Sequence, residues 1–169
     1  MARRRVSILC FFTALAAAAL WPGRCQAQSE TVRRIAPGVW FRQGDLENLG
    51  HCNNVIIEMK DYVIVVDANF PSGARAVMAD VRRISSKPVK YVFVTHHHGD
   101  HAYGNSLWTE YGATTIAYKA VADEMRRLGA AGWKQAAARR PDVRELNRTE
   151  PELPRQTFDK SPYVIEDGK

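Results

Sequence analysis

A strand–helix–strand pattern in residues 62–95 constrains the fold more than any other feature of the sequence. Residues 62–67 are apolar and largely β-branched up to a final aspartate, and residues 89–95 repeat that apolar character after a break at Pro88. Between them, apolar residues recur at helical spacing, which predicts an amphipathic helix with one buried face. A strand, a crossover helix and a second strand of this combined length are typical of a right-handed parallel βαβ unit. We therefore predict an α/β fold built on a buried sheet.

Weaker secondary-structure signals continue on both sides of this unit. Residues 55–59 form a β-branched run, and a turn at Lys60-Asp61 joins it to residues 62–67, which predicts an antiparallel hairpin. The remaining predictions are a loose lead-in (28–34), strands (38–43, 114–118 and 163–166), a helix capped by Ser72 that ends near Ile84, helices (105–111, 120–128, and 133–139 after a break at Gly129 and Gly132) and a surface connection (141–156).

The first 27 residues have the pattern of a secretory signal peptide. Three arginines at positions 3–5 precede an uncharged apolar run, and small residues stand before a predicted cleavage site after Ala27. A membrane anchor is the alternative, but the run is shorter than the ~20 residues of a spanning helix and Pro22-Gly23 interrupts it. We therefore expect an exported domain of residues 28–169, periplasmic or secreted, with no stable membrane insertion after cleavage.

Net charge and cysteine content narrow the functional classes of the exported domain. Four of the 24 basic residues lie in the signal, so 20 remain against 18 acidic residues and the net charge falls from +6 to +2. This balance gives no reason to expect a nucleic-acid partner. Cys10 and Cys25 also lie in the signal, which leaves Cys52 as a single thiol. A buried or incidental cysteine is the better interpretation of Cys52.

A histidine cluster directly follows the second strand of the βαβ unit. Four of the five histidines of the chain lie within residues 96–101. In extended backbone, side chains two residues apart point the same way, so His96 and His98 should face one point while His97 faces away. The fifth histidine, His51, could reach this point from its loop, but an ordinary loop histidine is the better interpretation.

The residues after His98 add a carboxylate and another imidazole to this cluster. Gly99 allows the chain to bend, and the bend should bring Asp100 and His101 round toward the same point. Imidazole nitrogens and a carboxylate suit zinc, with bonds of about 2.0–2.2 Å, but four such groups are too crowded to share one tetrahedral ion. We therefore predict one or two zinc ions on His96, His98, Asp100 and His101.

Asp67 ends the first strand of the unit, and His96 follows the end of the second. In α/β sheets, ligands gather beyond the carboxyl ends of strands, so both residues should lie at one edge of the sheet. Asp67 is predicted to accept a hydrogen bond from a ligand histidine or to fix the histidine loop. An ordinary turn residue at the end of a strand is the alternative.

The histidine cluster resembles the His-x-His-x-Asp-His motif of the metallo-β-lactamase superfamily. Asp67, at the end of an upstream hydrophobic strand, is similar to that family's first motif, and the resemblance covers roughly residues 35–130. It implies an αββα sandwich, of which this chain would form the N-terminal half. It also implies that His96 and His98 bind a first metal and that Asp100 and His101 bind a second. Asp100 would be the catalytic residue, orienting the nucleophilic water or shuttling its proton.

By this resemblance, we expect an exported zinc-dependent hydrolase that acts on a small-molecule substrate. A metal-bound hydroxide would cleave an ester, an amide (a β-lactam among them) or a thioester bond. Two alternatives remain open. The same ligands can hold iron, which would suit a member of the family that oxidises thiols or persulfides. The other alternative is an inactive metal-binding fragment.

The chain departs from the family pattern at its C-terminal side. Members complete the two metal sites with further histidines and a bridging aspartate from a C-terminal half, whereas no histidine follows His101 here. Asp167-Gly168 is a hairpin signal that stands directly before the last residue. We therefore expect a chain truncated at its C-terminus, with no activity in isolation. Tyr103 stands where many members have a small residue, which predicts a different packing of the loop.

Overall fold

The computed structural model describes residues 31–166 of the chain. Their strands form one seven-stranded sheet, in which the spatial order of the strands follows the chain. Neighbours are antiparallel from the first strand to the fourth and parallel from the fourth to the seventh. The strands are β1 (Thr31–Ala36), β2 (Val39–Gln43), β3 (Asn54–Glu58), β4 (Val63–Val66), β5 (Val89–Val94), β6 (Thr114–Tyr118) and β7 (Gln156–Phe158).

Five helices connect the parallel part of the sheet. They are α1 (Pro71–Ile84), α2 (Gly99–Ala102), α3 (Asn105–Glu110), α4 (Lys119–Arg139) and α5 (Pro141–Arg144). The predicted parallel βαβ unit is β4, α1 and β5, and the predicted hairpin is β3 with β4. The predicted α/β fold class is therefore confirmed.

The core lies where α1 packs on the centre of the sheet. Val63 and Val65 of β4 are fully buried, and Ile64 between them is 6% exposed, so this strand is covered on both faces as its unbroken apolar run predicts. Val77 and Val81 on the inner face of α1 belong to the same cluster. Each such side chain contributes about 1.5–3 kcal/mol when fully buried. This packing holds the carboxyl ends of β4 and β5 in place.

Three predictions about local structure are wrong. The lead-in at residues 28–34 is not loose from Thr31 onward, because the backbone of β1 pairs with β2 despite its polar side chains. Ser72 does not cap α1: the N-cap is Phe70, and Pro71 is the first helical residue, where its missing N–H costs nothing. Residues 163–166 form no strand, and β7 instead begins at Gln156, at the end of the predicted surface connection.

The predicted break in the fourth helix is also wrong, because α4 runs through both glycines. A Cβ at Gly132 would lie 2.4 Å from the Tyr103 hydroxyl, and one at Gly129 would lie 2.9 Å from Pro151. The two glycines therefore provide close approach between α4 and its neighbours. The helix tolerates them because tertiary packing outweighs the helix-propensity cost of about 1 kcal/mol each.

Two terminal predictions fall outside the described residues. The signal peptide, with its membrane-anchor alternative, lies in residues 1–30, and the Asp167-Gly168 turn lies in residues 167–169. Within residues 31–166, we find no helix whose length and apolar character would let it cross a membrane.

Asp142 joins the start of α1 to α5. Its Oδ2 accepts hydrogen bonds from the Ser72 backbone N–H (3.0 Å) and hydroxyl (2.6 Å), and Arg140 Nη2 lies 3.1 Å from the same oxygen. Burial alone would raise the pKa of Asp142, but the hydrogen bonds from Arg140 and Ser72 outweigh it. The net effect is a pKa below the ordinary value of 3.8.

Asp142→Asn is expected to lower the free energy of unfolding by about 1–3 kcal/mol at neutral pH. Because the folded-state pKa is depressed, the carboxylate stabilises the fold fully above its unfolded pKa and stops doing so as the pH falls through the lower folded value. Urea unfolding between about pH 5 and pH 2 measures this loss. The acid-induced loss should be shallower in D142N than in the wild type and unchanged in D159N, at an exposed position. Equal slopes for D142N and the wild type would contradict the assignment.

Candidate metal centre

The histidine loop lies at the carboxyl end of β5 and leads directly into α2. Since β4 and β5 are parallel neighbours, Asp67 and His96 follow their strands at the same edge of the sheet, as predicted. His98 is the N-cap of α2, and Asp100 and His101 lie in its single turn. Position 99 has no room for a side chain, because a Cβ there would lie 2.8 Å from the Phe70 ring and 2.9 Å from the Tyr103 ring.

The structure brings the four predicted ligand residues into one cluster. The ring centroid of His96 lies 4.8 Å from that of His98 and 3.9 Å from that of His101. His101 Nε2 lies 3.2 Å from Asp100 Oδ2. His97 contacts the His98 ring at 4.7 Å but lies 6.5 Å from His96. Metal binding by the four residues stays a prediction.

Asp67 connects the two strand ends within this cluster. Its Oδ1 accepts hydrogen bonds from the backbone N–H (2.8 Å) and hydroxyl (2.7 Å) of Thr95. Its Oδ2 lies 2.9 Å from His101 Nδ1. Asp67 also has a φ of +71°, in a region that costs a non-glycine residue about 1–3 kcal/mol and that recurs at functional sites. The carboxylate therefore both fixes the histidine loop and contacts one candidate ligand.

Cys52 also joins this cluster, which sequence reasoning missed. Ligand atoms of Cys52, Asp67 and His101 all lie within 4.8 Å of one another, so these three side chains could hold a metal ion. The thiol is buried, as predicted, with Cys52 only 1% exposed. Asn69 Nδ2 donates a 3.1 Å hydrogen bond to the Cys52 carbonyl and holds this loop against the end of β4. The only available sequence signal was the position of Cys52 beside His51.

His51 itself does not join the cluster. It is buried at 3% exposure, and its Nε2 lies 2.8 Å from the Ser72 hydroxyl at the start of α1. The structure therefore places it in the contact that joins the loop before β3 to α1 and α5, through the same Ser72 hydroxyl that donates to Asp142.

The charges of the cluster are strongly coupled. Burial by itself lowers the pKa of His101, but contacts with Asp100, Asp67 and Cys52 outweigh it and raise the pKa to about 12. Burial, followed by the neighbouring imidazolium charge of His101, lowers the pKa of His96. Burial by itself would raise the pKa of Asp100, but the contact with His101 outweighs burial, and the net effect is a pKa below its ordinary value. Without metal, His101 therefore carries a proton that a bound cation must displace.

The donor set fits a zinc-type ion. Imidazole, carboxylate and thiolate are the three protein ligand types that zinc takes. His101 Nδ1 is buried and, within residues 31–166, has no partner in hydrogen-bond alignment, although Asp67 lies close to it. A cation could bind this buried nitrogen in place of its proton. The residues present therefore agree with a metal centre at this edge of the sheet.

A cavity of about 450 Å³ opens beside the cluster. Tyr103 forms part of its wall and packs edge-on against Phe70, with ring centroids 5.9 Å apart, and against Trp133 at 5.0 Å. The volume and the mostly apolar wall are typical of a small-molecule site with a few polar groups at one end. Its wall includes His98, Asp100, Tyr103, Met125, Leu128 and Pro151.

Comparison with known proteins agrees with the motif and the fold. The family model of the metallo-beta-lactamase superfamily matches residues 48–168. The chain belongs to the metallo-β-lactamase superfamily. The match confirms, at the level of the family, the resemblance that the histidine loop indicated. The superfamily consists mostly of metal-dependent hydrolases.

Solved metallo-β-lactamase structures share the fold of this superfamily member. A metallo-beta-lactamase from Pontibacter korlensis aligns with a TM-score of 0.60 and 17% identity over 83% of this chain and 57% of that protein. One from Hirschia baltica aligns with a TM-score of 0.55 and 19% identity over 78% and 53%. The structure of TMB-1 aligns with a TM-score of 0.57 and 16% identity over 81% of this chain and 55% of that protein. The chain thus spans little more than half the length of these structures.

Proposed function

We propose that the protein is an exported, zinc-dependent hydrolase that cleaves an ester, an amide (a β-lactam among them) or a thioester bond in a small molecule. The observation that supports this proposal most is the convergence of three imidazoles and the Asp100 carboxylate at the carboxyl end of β5, beside a cavity of about 450 Å³. Superfamily membership supports the hydrolytic reaction class. The signal-like residues 1–27 support export.

Each residue of the cluster has a proposed role that follows from its chemistry and its position. His96 and His98 would hold the ion, and a bound zinc ion supplies a nucleophile at neutral pH by lowering the pKa of water toward ~7. Asp100 reaches the cavity wall, where its carboxylate can accept a proton from the attacking water and pass it on. Asp67 would orient the His101 ring through the contact between its Oδ2 and His101 Nδ1. Met125 and Leu128 offer an apolar surface to the substrate's non-reacting part.

The proposed function is tested on the complete gene product rather than on an excised piece. Metal content is measured first, followed by turnover of a chromogenic cephalosporin, a nitrophenyl ester and an acyl thioester with added zinc. The proposal predicts zinc and hydrolysis of at least one of these bonds. Iron in place of zinc, with oxygen consumed in the presence of a thiol or persulfide, would replace it with the iron-dependent alternative. No turnover of any of the three substrates by the zinc-loaded protein would refute it.

His98→Ala in the 169-residue chain is expected to weaken zinc binding by more than about 10–100-fold, the loss that follows when even an outer partner of a ligand is removed. The reason is that His98 supplies one of the two imidazoles expected on the first ion. Competition against a chromophoric chelator measures the affinity. His97→Ala is the matched control, because the His97 ring lies farther from His96 than the His98 ring does. The H97A variant should therefore bind zinc as tightly as the wild type does. Equal affinities for H98A and the wild type would remove His98 from the site.

A further inference from the structure

Cys52, Asp67 and His101 converge from three different parts of the chain. Cys52 precedes β3, Asp67 follows β4, and His101 lies in α2. Their ligand atoms lie within 4.8 Å of one another, whereas the ligands of one tetrahedral zinc ion are about 3.4–3.8 Å apart. Side-chain shifts of about 1 Å would therefore let the three groups share an ion. Hydrogen bonds from Asn69 to the Cys52 carbonyl and from the Thr95 backbone to the Asp67 carboxylate hold these two groups at the edge of the sheet.

Each group has the ligand atom that such an ion requires. Asp67 uses Oδ1 for its hydrogen bonds with Thr95, and its Oδ2 faces His101 Nδ1 over 2.9 Å, so Oδ2 is the oxygen that a cation between these two groups would bind. His101 turns Nδ1 toward Asp67, where it has no aligned hydrogen-bond partner among the described residues, and turns Nε2 toward Asp100. The thiol of Cys52 is 1% exposed, so it is shielded from oxidants and cannot meet a substrate as a nucleophile.

We propose that Cys52, Asp67 and His101 form an inner metal site that binds a soft divalent cation, zinc by preference, through thiolate, carboxylate and Nδ1. Thiolate with imidazole selects zinc-type ions over magnesium or calcium. The inner site uses Nδ1 of His101 and the Cys52 thiolate, whereas a site shared with Asp100 would use Nε2 of His101. A neutral imidazole has one nitrogen lone pair for a metal, so His101 can bind a cation in only one of these two sites at a time. His96, His98 and Asp100, which we call the outer set, remain available for a separate ion, the outer ion. The inner site does not depend on hydrolysis.

Cobalt(II) absorption tests the inner site directly, because a thiolate bound to cobalt gives an intense near-ultraviolet charge-transfer band. The protein is the 169-residue chain with C10S and C25S, so that Cys52 is the only thiol. We expect the band on adding cobalt, and we expect C52S to abolish it and to lower the cobalt stoichiometry by one. H98A should keep the band, since His98 belongs to the outer set. D67N should weaken the affinity that the band reports by at least about tenfold.

Zinc X-ray absorption of the same C10S/C25S chain needs no change at Cys52. A zinc–sulfur distance of about 2.3 Å is expected. Cobalt that binds without the band, a band that survives C52S, a zinc spectrum without sulfur, or no metal binding at all would each overturn the inner site. Thermal unfolding of C52S checks that the variant is folded. Failure of the hydrolase proposal looks different, because it removes turnover and leaves the sulfur signal in place.

Discussion

Asp80→Ala is expected to destabilise the fold by about 3–5 kcal/mol, the cost of removing one partner from a buried ion pair. Arg42 of β2 has a fully buried side chain, and its Nε donates to Asp80 Oδ2 of α1 over 2.7 Å. Asp80 is itself 7% exposed and also contacts Arg83. The alanine variant would leave the Arg42 charge in the interior without this carboxylate. The pair joins α1 to the antiparallel side of the sheet, so its loss should affect the whole fold.

Urea unfolding of D80A, of R42M/D80L and of D123A would measure this cost. The double variant replaces both charges with apolar groups of similar size, which is often neutral or stabilising, so it should recover most of the loss. Asp123 pairs with Lys119 and Arg126 on the exposed face of α4, and D123A should leave the free energy of unfolding nearly unchanged. A D80A variant as stable as D123A would contradict the importance of the buried pair.

The parts of the fold that the sequence predicts are those with local, periodic causes. The apolar runs of β4 and β5 and the helical spacing of α1 depend on residues close in sequence, and they place the histidine loop correctly at the edge of the sheet. The βαβ unit adds handedness and parallel pairing, which follow from chain geometry. A short, specific motif after a buried strand then predicted the family.

The features that the sequence did not predict depend on contacts between distant segments. The polar strand β1 becomes a strand only because β2 offers its free edge. Arg42 resembles any outward-facing strand residue until α1 brings Asp80 to it. Gly132 reads as a helix breaker until Tyr103 packs against it. In each case, tertiary packing outweighs a local preference.

The site divides in the same way. The spacing of His96, His98, Asp100 and His101 follows from consecutive backbone geometry, so a single sequence suffices to predict that these residues converge. Cys52 and His101 are far apart in sequence, and only the fold brings the thiol to the imidazole. A contact between Asp67 and a histidine of the loop was predictable, because neighbouring parallel strands end at the same edge of the sheet. The nitrogen of His101 that Asp67 faces was not.

Asp100→Asn is expected to lower kcat of the complete, zinc-loaded protein by about 10²–10⁴, the usual contribution of a general acid or base. Asparagine keeps an oxygen at the same place for a cation but cannot accept a proton from the attacking water. It also removes the negative charge beside His101 Nε2, which lies 3.2 Å away. The measurement is steady-state turnover of whichever substrate the wild type hydrolyses, with zinc content determined on the same samples.

The zinc content decides what the Asp100→Asn result means. A fall in kcat at full zinc occupancy assigns proton transfer to Asp100, whereas a fall in proportion to lost zinc assigns it only to holding the ion. Asp159→Asn makes the same chemical change at an exposed position and should keep the wild-type rate. A D100N enzyme within tenfold of the wild type would show that the proton leaves by another group, because no carboxylate would remain at position 100 of the cavity wall to take it.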